Sequence, residues 1–307
     1  MQPIKRPAGW VAITVLIVLF SAPGVFAEDE LRIYTVNYPL AYFAERIVGD
    51  LAVVTFPAPR DVDPASWMPD VETIAAYQAA DLILLNGADY AKWMSKVSLP
   101  RSRMVDTSRA FRDAYIRESE EVSHSHGPGG EHTHGGVAFT TWLDLSQAAH
   151  QAEAIAQAVT RKRPDAKERM DRNLLALQRD LLEIDGRIAE IARLDPGRPL
   201  LASHPVYQYL ARRYGLNLRS VMWEPDEVPS ESLWNELEGI LRDHPAKWMI
   251  WEGEPAQESI ERLRALGVES VVVNPCANRP AGGDFMTVIT ENTRSLRLIF
   301  GQVSGDP

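Results

Sequence analysis

Residues 165–194 read DAKERMDRNLLALQRDLLEIDGRIAEIARL, and the pattern of this stretch indicates the fold. Its apolar side chains recur at alternating intervals of three and four residues, which is the pattern of one buried face of a helix. These positions are Leu174, Leu177, Leu181, Ile184, Ile188 and Ile191. Pro164 favours a helix start, and Pro196 with Gly197 favours its end. A helix of about 30 residues is about 45 Å long, which is unusual inside a globular protein.

The same spacing is compatible with a coiled-coil dimer, but the apolar seam lasts at most about four heptads. Strand and helix patterns alternate on both sides of the helix, so we favour a rigid strut between two lobes. The predicted strands are 31–36, 52–56, 81–85, 199–203, 248–251 and 271–273, and predicted helices include 42–47, 71–80 and about 206–214. We therefore predict an α/β protein with parallel sheets flanked by helices. Its parts are an N-terminal lobe at 28–163, a linking helix at 164–195 and a C-terminal lobe at 196–307.

The composition excludes several classes of protein. The chain has 307 residues, of which 45% are hydrophobic and 24% are charged, and this balance is ordinary for a globular protein. A net charge of −10 argues against a nucleic-acid partner, because duplex-binding proteins usually present a basic surface. The single cysteine, Cys276, excludes both an intramolecular disulfide and a cysteine-based zinc cluster.

Residues 1–27 have the features of a secretory signal peptide. Lys5 and Arg6 precede an apolar run at 10–20, WVAITVLIVLF, and a small-residue motif ends at Ala27. We predict cleavage after Ala27. An uncleaved anchor is the alternative, although the run is shorter than the roughly 20 residues that a membrane span needs. The protein is therefore expected to be exported, which in a Gram-negative cell means the periplasm.

A histidine-rich segment covers residues 123–136, SHSHGPGGEHTHGG. It contains four of the seven histidines, which are His124, His126, His132 and His134. The interspersed glycine and proline argue against a regular helix or strand, so we expect a surface loop. Imidazole is the commonest metal ligand, and we predict that this loop captures Zn²⁺, Cu²⁺ or Ni²⁺. A solvated linker without function is the alternative. His150 and His244 are predicted to be ordinary surface residues.

Six further segments carry a family resemblance when they are taken in chain order. They are TVNYPLAYFAERIVGD (35–50), DVDPASWMPDVETIAAYQAADLILLNG (61–87), TWLDL (141–145), SHPVYQYLARRYGLNL (203–218), EPDEVPS (224–230) and VNPCANRPAGGDFMTVITENTRSL (273–296). Together they resemble the periplasmic solute-binding proteins of zinc and manganese ABC transporters, the ZnuA/TroA-like family of cluster A-I. The resemblance implies two α/β lobes, one long linking helix and a metal in the cleft between the lobes. A histidine-rich loop at this position is typical of the zinc-specific branch.

The resemblance also implies four metal-ligand positions, and this sequence keeps one of them. The third ligand of the family corresponds to His204. The first and second, both histidines, correspond to Ala65 and Thr140, and the fourth, an aspartate, corresponds to Asn274. A tight zinc site needs about three or four nitrogen, sulfur or carboxylate ligands. We therefore expect this metal site to be degenerate or rebuilt, with His204 either a ligand or a relic.

A rebuilt site could recruit Glu224, Asp226, Glu252 or Glu254, or it could fold the histidine loop inward. For Glu252 and Glu254, which follow a predicted strand, we favour a solvated loop. A second possibility is an aromatic cleft that holds an organic ligand or a metal chelate. Trp67 and Trp223 are the tryptophans that could line it, whereas Trp142 and Trp251 are expected in the core.

Our leading functional prediction is a periplasmic binding protein that captures divalent metal, with zinc favoured and manganese as the other candidate. The metal would bind mainly to the histidine loop, with His204 assisting, and pass to an inner-membrane ABC permease with its ATPase. We expect a monomer. The alternatives are a diverged member that binds a non-metal ligand or a metal chelate, and an accessory metallochaperone. The sequence has no Gly-x-Ser-x-Gly or His-Glu-x-x-His motif, so we do not expect an enzyme.

Overall fold

The computed structural model describes residues 30–117, 122–126, 130–134 and 136–301. The predicted signal peptide and its cleavage after Ala27 lie outside these residues. Within the described ranges, no helix combines the length and the apolar character that a membrane crossing requires.

The N-terminal lobe is built on a four-stranded sheet. Its elements are β1 (Leu31–Thr35), α1 (Tyr38–Val48), β2 (Ala52–Thr55), α2 (Val71–Ala79), β3 (Leu82–Leu85), β4 (Met104–Asp106), the hairpin β5 (Val122–His126) and β6 (Gly130–His134), and α3 (Leu145–Lys162). The sheet has the strand order β2-β1-β3-β4, and every neighbouring pair is parallel. The carboxyl ends of these strands therefore meet at one edge of the sheet.

The linking helix α4 runs from Lys167 to Ala192, after a 3-10 turn at Pro164–Ala166. Five of its six predicted apolar positions are buried, and Leu174 is partly buried against the same core. The helix packs on α3 on one side and on the last helix of the chain on the other. The prediction of one long helix is thus confirmed, and the apolar periodicity explains it because burial of that stripe holds the helix in place.

The C-terminal lobe repeats the architecture of the first. Its elements are β7 (Pro199–Ala202), α5 (Gln208–Tyr214), β8 (Asn217–Ser220), α6 (Glu231–Asp243), β9 (Trp248–Trp251), α7 (Gln257–Ala265), β10 (Glu269–Val272) and α8 (Phe285–Phe300). The sheet order is β10-β9-β7-β8, again with parallel pairs only. The predicted α/β class with two parallel sheets is confirmed, while the exact lobe limits at 28–163 and 196–307 stay predictions.

The hairpin of β5 and β6 corrects one prediction. The histidine-rich segment was expected to hold no regular strand, but its backbone forms an antiparallel pair in which position 124 lies opposite position 132. A single bridge between Arg117 and Val137 marks the base of the hairpin. The sequence alternates with a period of two in Ser-His-Ser-His and Glu-His-Thr-His, and this alternation suits strand pairing despite the glycine content.

Candidate metal centre

A cavity of about 370 Å³ lies between the two lobes. The N-lobe contributes one wall, formed by residues 62–66, Lys92 and residues 139–140. The C-lobe contributes the other wall, formed by His204, Val206, Glu224, Glu252, Asn274, Pro275, Ala277 and Asn278. Larger grooves of about 560 and 820 Å³ lie elsewhere on the described surface. The inter-lobe cavity differs from both because it contains the one cluster of metal-ligating side chains found among the described residues.

The cluster consists of His204, Glu224 and Glu252. One donor atom of each side chain lies within 4.8 Å of the other two. The Nε2 atom of His204 is 3.7 Å from Glu224 Oε1, and its Nδ1 atom is 3.4 Å from Glu252 Oε1. His204 is buried, with 5% of its surface exposed, and the two carboxylates are each less than a third exposed.

The sheet of the C-lobe brings these residues together. His204 comes two positions after β7 and Glu252 directly follows β9, and the two strands are parallel neighbours. The segments that follow β7 and β9 therefore leave the sheet at the same edge. The N–H of Ser203, just after β7, donates to Ile250 O of β9 at 2.9 Å. Glu224 arrives from the segment after β8, which is fixed by a hydrogen bond from Trp223 N to Ser203 O at 2.8 Å.

A backbone carbonyl helps to orient the imidazole of His204. Its Nδ1 atom lies 3.3 Å from Trp223 O, so a proton on Nδ1 has a carbonyl acceptor. We assign this tautomer from the hydrogen-bond geometry, and it places the lone pair of the ring on Nε2, beside Glu224. A metal-ligating histidine commonly donates its other ring N–H in this way, which fixes the ring and raises its basicity.

Glu252 is the electrostatically unusual member of the cluster. Burial raises the pKa of its carboxyl group to about 8, and the negative charges of Glu224 and Asp63 add to the increase. At neutral pH the Glu252 side chain therefore keeps its proton for most of the time. A divalent cation would reverse this preference, because it supplies the positive charge that the crowded carboxylates lack.

The family ligand positions on the N-lobe wall offer no replacement donors. Ala65 is buried and has no side-chain donor atom, and its N–H binds Asp63 Oδ1 at 3.0 Å. The Thr140 hydroxyl donates to Val206 O at 2.5 Å, across the cleft. On the C-lobe, Asn274 lines the cavity, but its Oδ1 accepts the N–H of Cys276 at 2.7 Å within its own loop.

Two of the four acids that were considered for a rebuilt site belong to the cluster, namely Glu224 and Glu252. Asp226 and Glu254 do not. The expectation of a solvated loop at Glu252 is wrong, because this residue is the first one beyond a fully buried strand and its side chain faces the inter-lobe cavity. For Glu254, which is exposed, the expectation is confirmed.

The aromatic cleft is not supported by the positions of the tryptophans. Trp223 is 1% exposed and packs against Trp234 and Trp251, with ring centroids 4.6 and 6.1 Å apart. Trp67 packs against the core and does not line the cavity, where Phe139 is the aromatic lining residue. Trp142 and Trp251 are buried in the core, as expected.

The remaining histidines divide into three cases. His150 is exposed, as predicted. His244 is buried instead of lying on the surface, and its Nε2 atom is 2.8 Å from Leu200 O, so this ring is held inside the C-lobe by a backbone partner. The side chains of His124, His126, His132 and His134 lie outside what the structure describes, and their assignment as metal ligands stays a prediction.

Comparison with known proteins identifies the family. The family model described as zinc-uptake complex component A periplasmic, ZnuA, matches residues 33–298. The chain belongs to this family. The members of this family are substrate-binding proteins of ABC transporters, which are not enzymes.

Two curated relatives show the range of the ZnuA-like proteins. The zinc-binding lipoprotein AdcA of Streptococcus pneumoniae (strain ATCC BAA-255 / R6) is 26% identical over 283 residues, which cover 88% of this chain and 56% of AdcA. The chain thus spans about half the length of the AdcA relatives that it matches. The manganese-binding lipoprotein MntA of Halalkalibacterium halodurans is 22% identical over 296 residues, covering 92% of this chain and 85% of MntA.

Solved structures agree on the fold. The metal-dependent lipoprotein YcdH from Bacillus subtilis superposes with a TM-score of 0.75 at 21% identity, covering 88% of this chain and 99% of YcdH. Zn(II)-bound AdcA from Streptococcus pneumoniae also gives a TM-score of 0.75, at 23% identity, covering 89% of this chain and 58% of AdcA. These similarities support the two-lobed α/β architecture with its single linking helix.

Proposed function

We propose that this ZnuA-family chain is the metal-capturing component of a divalent-metal uptake system, and that the cargo binds to His204, Glu224 and Glu252. The observation that carries the proposal is the convergence of one imidazole and two carboxylates in the cavity between the lobes. Both curated relatives are named for a divalent metal, zinc in AdcA and manganese in MntA.

The chemistry of the cluster suits a divalent cation. Two ionised carboxylates balance a charge of +2, and an imidazole adds a nitrogen ligand of the kind that Zn²⁺ prefers. Ligands about 2.1 Å from a tetrahedral ion are about 3.4 Å apart. The separation of 3.7 Å between His204 Nε2, the ring nitrogen that carries the lone pair, and Glu224 Oε1 is close to this value. The donors of His204 and Glu224 are therefore nearly in place before metal arrives. Zinc is the proposed cargo, and the oxygen-rich donor set makes manganese the alternative.

The histidine hairpin has a separate proposed role as an external capture site that raises the local metal concentration. The backbone register supports it, because position 124 is paired directly with position 132. Opposite residues of an antiparallel pair have Cβ atoms about 5 Å apart, within the range that two ligands of one ion can span. His124, His126, His132 and His134 are the proposed ligands.

Delivery of the cargo completes the proposal. We propose that the exported chain, cleaved after Ala27, works in the periplasm as a monomer and delivers metal to an inner-membrane ABC permease with its ATPase. The family supports this role, since its model is named for a periplasmic component of zinc uptake.

Calorimetric titration with zinc and with manganese tests the proposal. We expect one tight site in the wild type, its loss in His204→Ala, and wild-type affinity in Glu254→Gln, which removes an exposed carboxylate near Glu252 that lies outside the cluster. A second variant that lacks residues 123–136 should keep the tight site and lose only weaker binding. Tight binding that survives His204→Ala but disappears with the hairpin would contradict the assignment of the cavity.

A further inference from the structure

All three proposed ligands come from the C-lobe, so a bound ion has coordination positions that face the opposite wall. A four-coordinate zinc ion needs one further ligand there, which in an open site is commonly water. On the N-lobe wall, the side chains of Pro64 and Ala65 have no donor atom, and the Thr140 hydroxyl donates to Val206 O. Asp63 is the one carboxylate among the described residues of this wall.

The carboxylate of Asp63 is held in a fixed orientation by its own loop. Its Oδ1 accepts the N–H of Ala65 at 3.0 Å, and its Oδ2 accepts the hydroxyl of Ser66 at 3.1 Å. Its backbone carbonyl also accepts the N–H of Trp67 at 2.9 Å. Each carboxylate oxygen can accept a second hydrogen bond, so the turn leaves acceptor capacity on the side chain.

The loop that carries Asp63 is fastened to the C-lobe. The side-chain amide of Asn278 donates to both Pro59 O and Val62 O, at 2.6 and 2.8 Å. Arg60 donates to Pro280 O at 2.8 Å on the same side of the cleft. These three bonds hold the loop against the opposite lobe, so Asp63 keeps a defined position at the cavity wall.

Asp63 lines the same cavity as the cluster but is not one of its mutually close donors. Asp63 does not belong to the group of donors that lie within 4.8 Å of one another, yet its charge acts on Glu252. An acceptor that binds a metal-coordinated water lies about 4 to 5 Å from the ion, since a Zn–O bond of about 2.1 Å is followed by a hydrogen bond of about 2.7 Å. An N-lobe acid that lines the same cavity without joining the cluster suits this arrangement.

We infer that Asp63 accepts a hydrogen bond from a metal-bound water and thereby connects the N-lobe to the cargo. This inference rests on the proposed site at His204, Glu224 and Glu252. It gives Asp63 the role of a positioning residue, which holds the water and the ion without touching the metal. It also makes the retention of cargo depend on one acid of the N-lobe, although that lobe supplies no ligand.

The test compares Asp63→Asn with Asp61→Asn in zinc titrations and stopped-flow release measurements on the purified protein. Asparagine keeps the acceptor for the Ala65 N–H, so the turn persists, but it removes the charge and one acceptor oxygen. Asp61 is exposed and does not line the cavity, which makes it a matched control. We expect Asp63→Asn to lower the zinc affinity about tenfold and to speed release, because loss of an outer-shell partner typically costs about 10–100-fold. Asp61→Asn should bind as the wild type.

X-ray absorption of the zinc-loaded variants separates positioning from ligation. The number of protein ligands should be unchanged in Asp63→Asn and lower by one in Glu252→Gln. Wild-type affinity in Asp63→Asn, equal weakening in both aspartate variants, or the loss of a protein ligand in Asp63→Asn would each overturn the inference. If Glu252→Gln also bound zinc like the wild type, the proposed site itself would be wrong and the inference would fall with it.

Discussion

The two walls of the inter-lobe cavity have the same architectural origin but different chemistry. Both are formed mainly by loops that follow parallel strands, yet the C-lobe wall presents His204, Glu224 and Glu252 while the N-lobe wall presents Ala65 and Thr140 at the family's ligand positions. A site with ligands on both lobes is completed by closure. A site with all its ligands on one lobe exists before closure, so the C-lobe should determine affinity and the N-lobe should cover the cargo.

The largest effect should follow from damage to the C-lobe wall. Glu252→Gln preserves the shape of the side chain but removes one of two charges that balance a divalent ion, so we expect zinc affinity to fall by at least about 100-fold. Competition with a chelator of known affinity measures the loss. Glu254→Gln is the control, and a reduction of similar size in both variants would show that bulk charge, rather than ligation, governs binding.

The protonation of Glu252 predicts the next effect. Its pKa is raised to about 8, so below that pH an incoming metal must displace a proton. We expect affinity to fall about tenfold per unit as the pH decreases below 8 and to level off above 8. Calorimetry in buffers of different ionisation enthalpy should detect release of close to one proton at pH 7. A release that is unchanged in Glu252→Gln would assign the proton to another group.

A ligand added to the N-lobe wall should strengthen binding moderately. Ala65→His places an imidazole at the family's first ligand position, on a wall that lines the same cavity. We expect about a tenfold gain in zinc affinity, because one added ligand replaces water but must be ordered in a loop. Ala65→Leu is the control for bulk, and a gain in that variant would point to packing. Unchanged or weaker binding by Ala65→His would place the ion out of reach of this wall.

The smallest effect should come from Thr140. Thr140→Val removes the hydroxyl that donates to Val206 O across the cleft, and leaves that part-buried carbonyl without this partner. We expect the free energy of unfolding to decrease by about 1 kcal/mol and zinc affinity to change less than about threefold. Chemical denaturation and zinc titration give the two values. A loss of affinity comparable with that of Glu252→Gln would restore Thr140 as part of the metal site.

Periodicity was sufficient to predict the architecture but not every element. The apolar stripe of α4 and the buried runs of β3 and β9 predict their own structure, because burial on one face or on both imposes the pattern. The strands β4 and β8 were missed. The first has three residues, and the second, NLRS, is mostly exposed and has no apolar pattern.

The metal site required information that sequence order does not contain. His204 was predicted from its place in a family motif, whereas Glu224 and Glu252 were two of several possible acids. The strand order β10-β9-β7-β8 explains why these two acids meet His204. It places β7, which precedes His204, between β8, which precedes Glu224, and β9, which precedes Glu252. His244 was predicted to be exposed because its neighbours in the sequence are polar. Its ring is instead buried and has Leu200 O as a hydrogen-bond partner.

X-ray absorption of the wild-type protein loaded with one equivalent of zinc identifies the ligands of the tight site. We predict that a single imidazole binds the ion, together with oxygen ligands from two carboxylates and water. A spectrum dominated by three or four imidazoles would contradict it. That result would place the tight site on the histidines of the hairpin rather than on His204, Glu224 and Glu252.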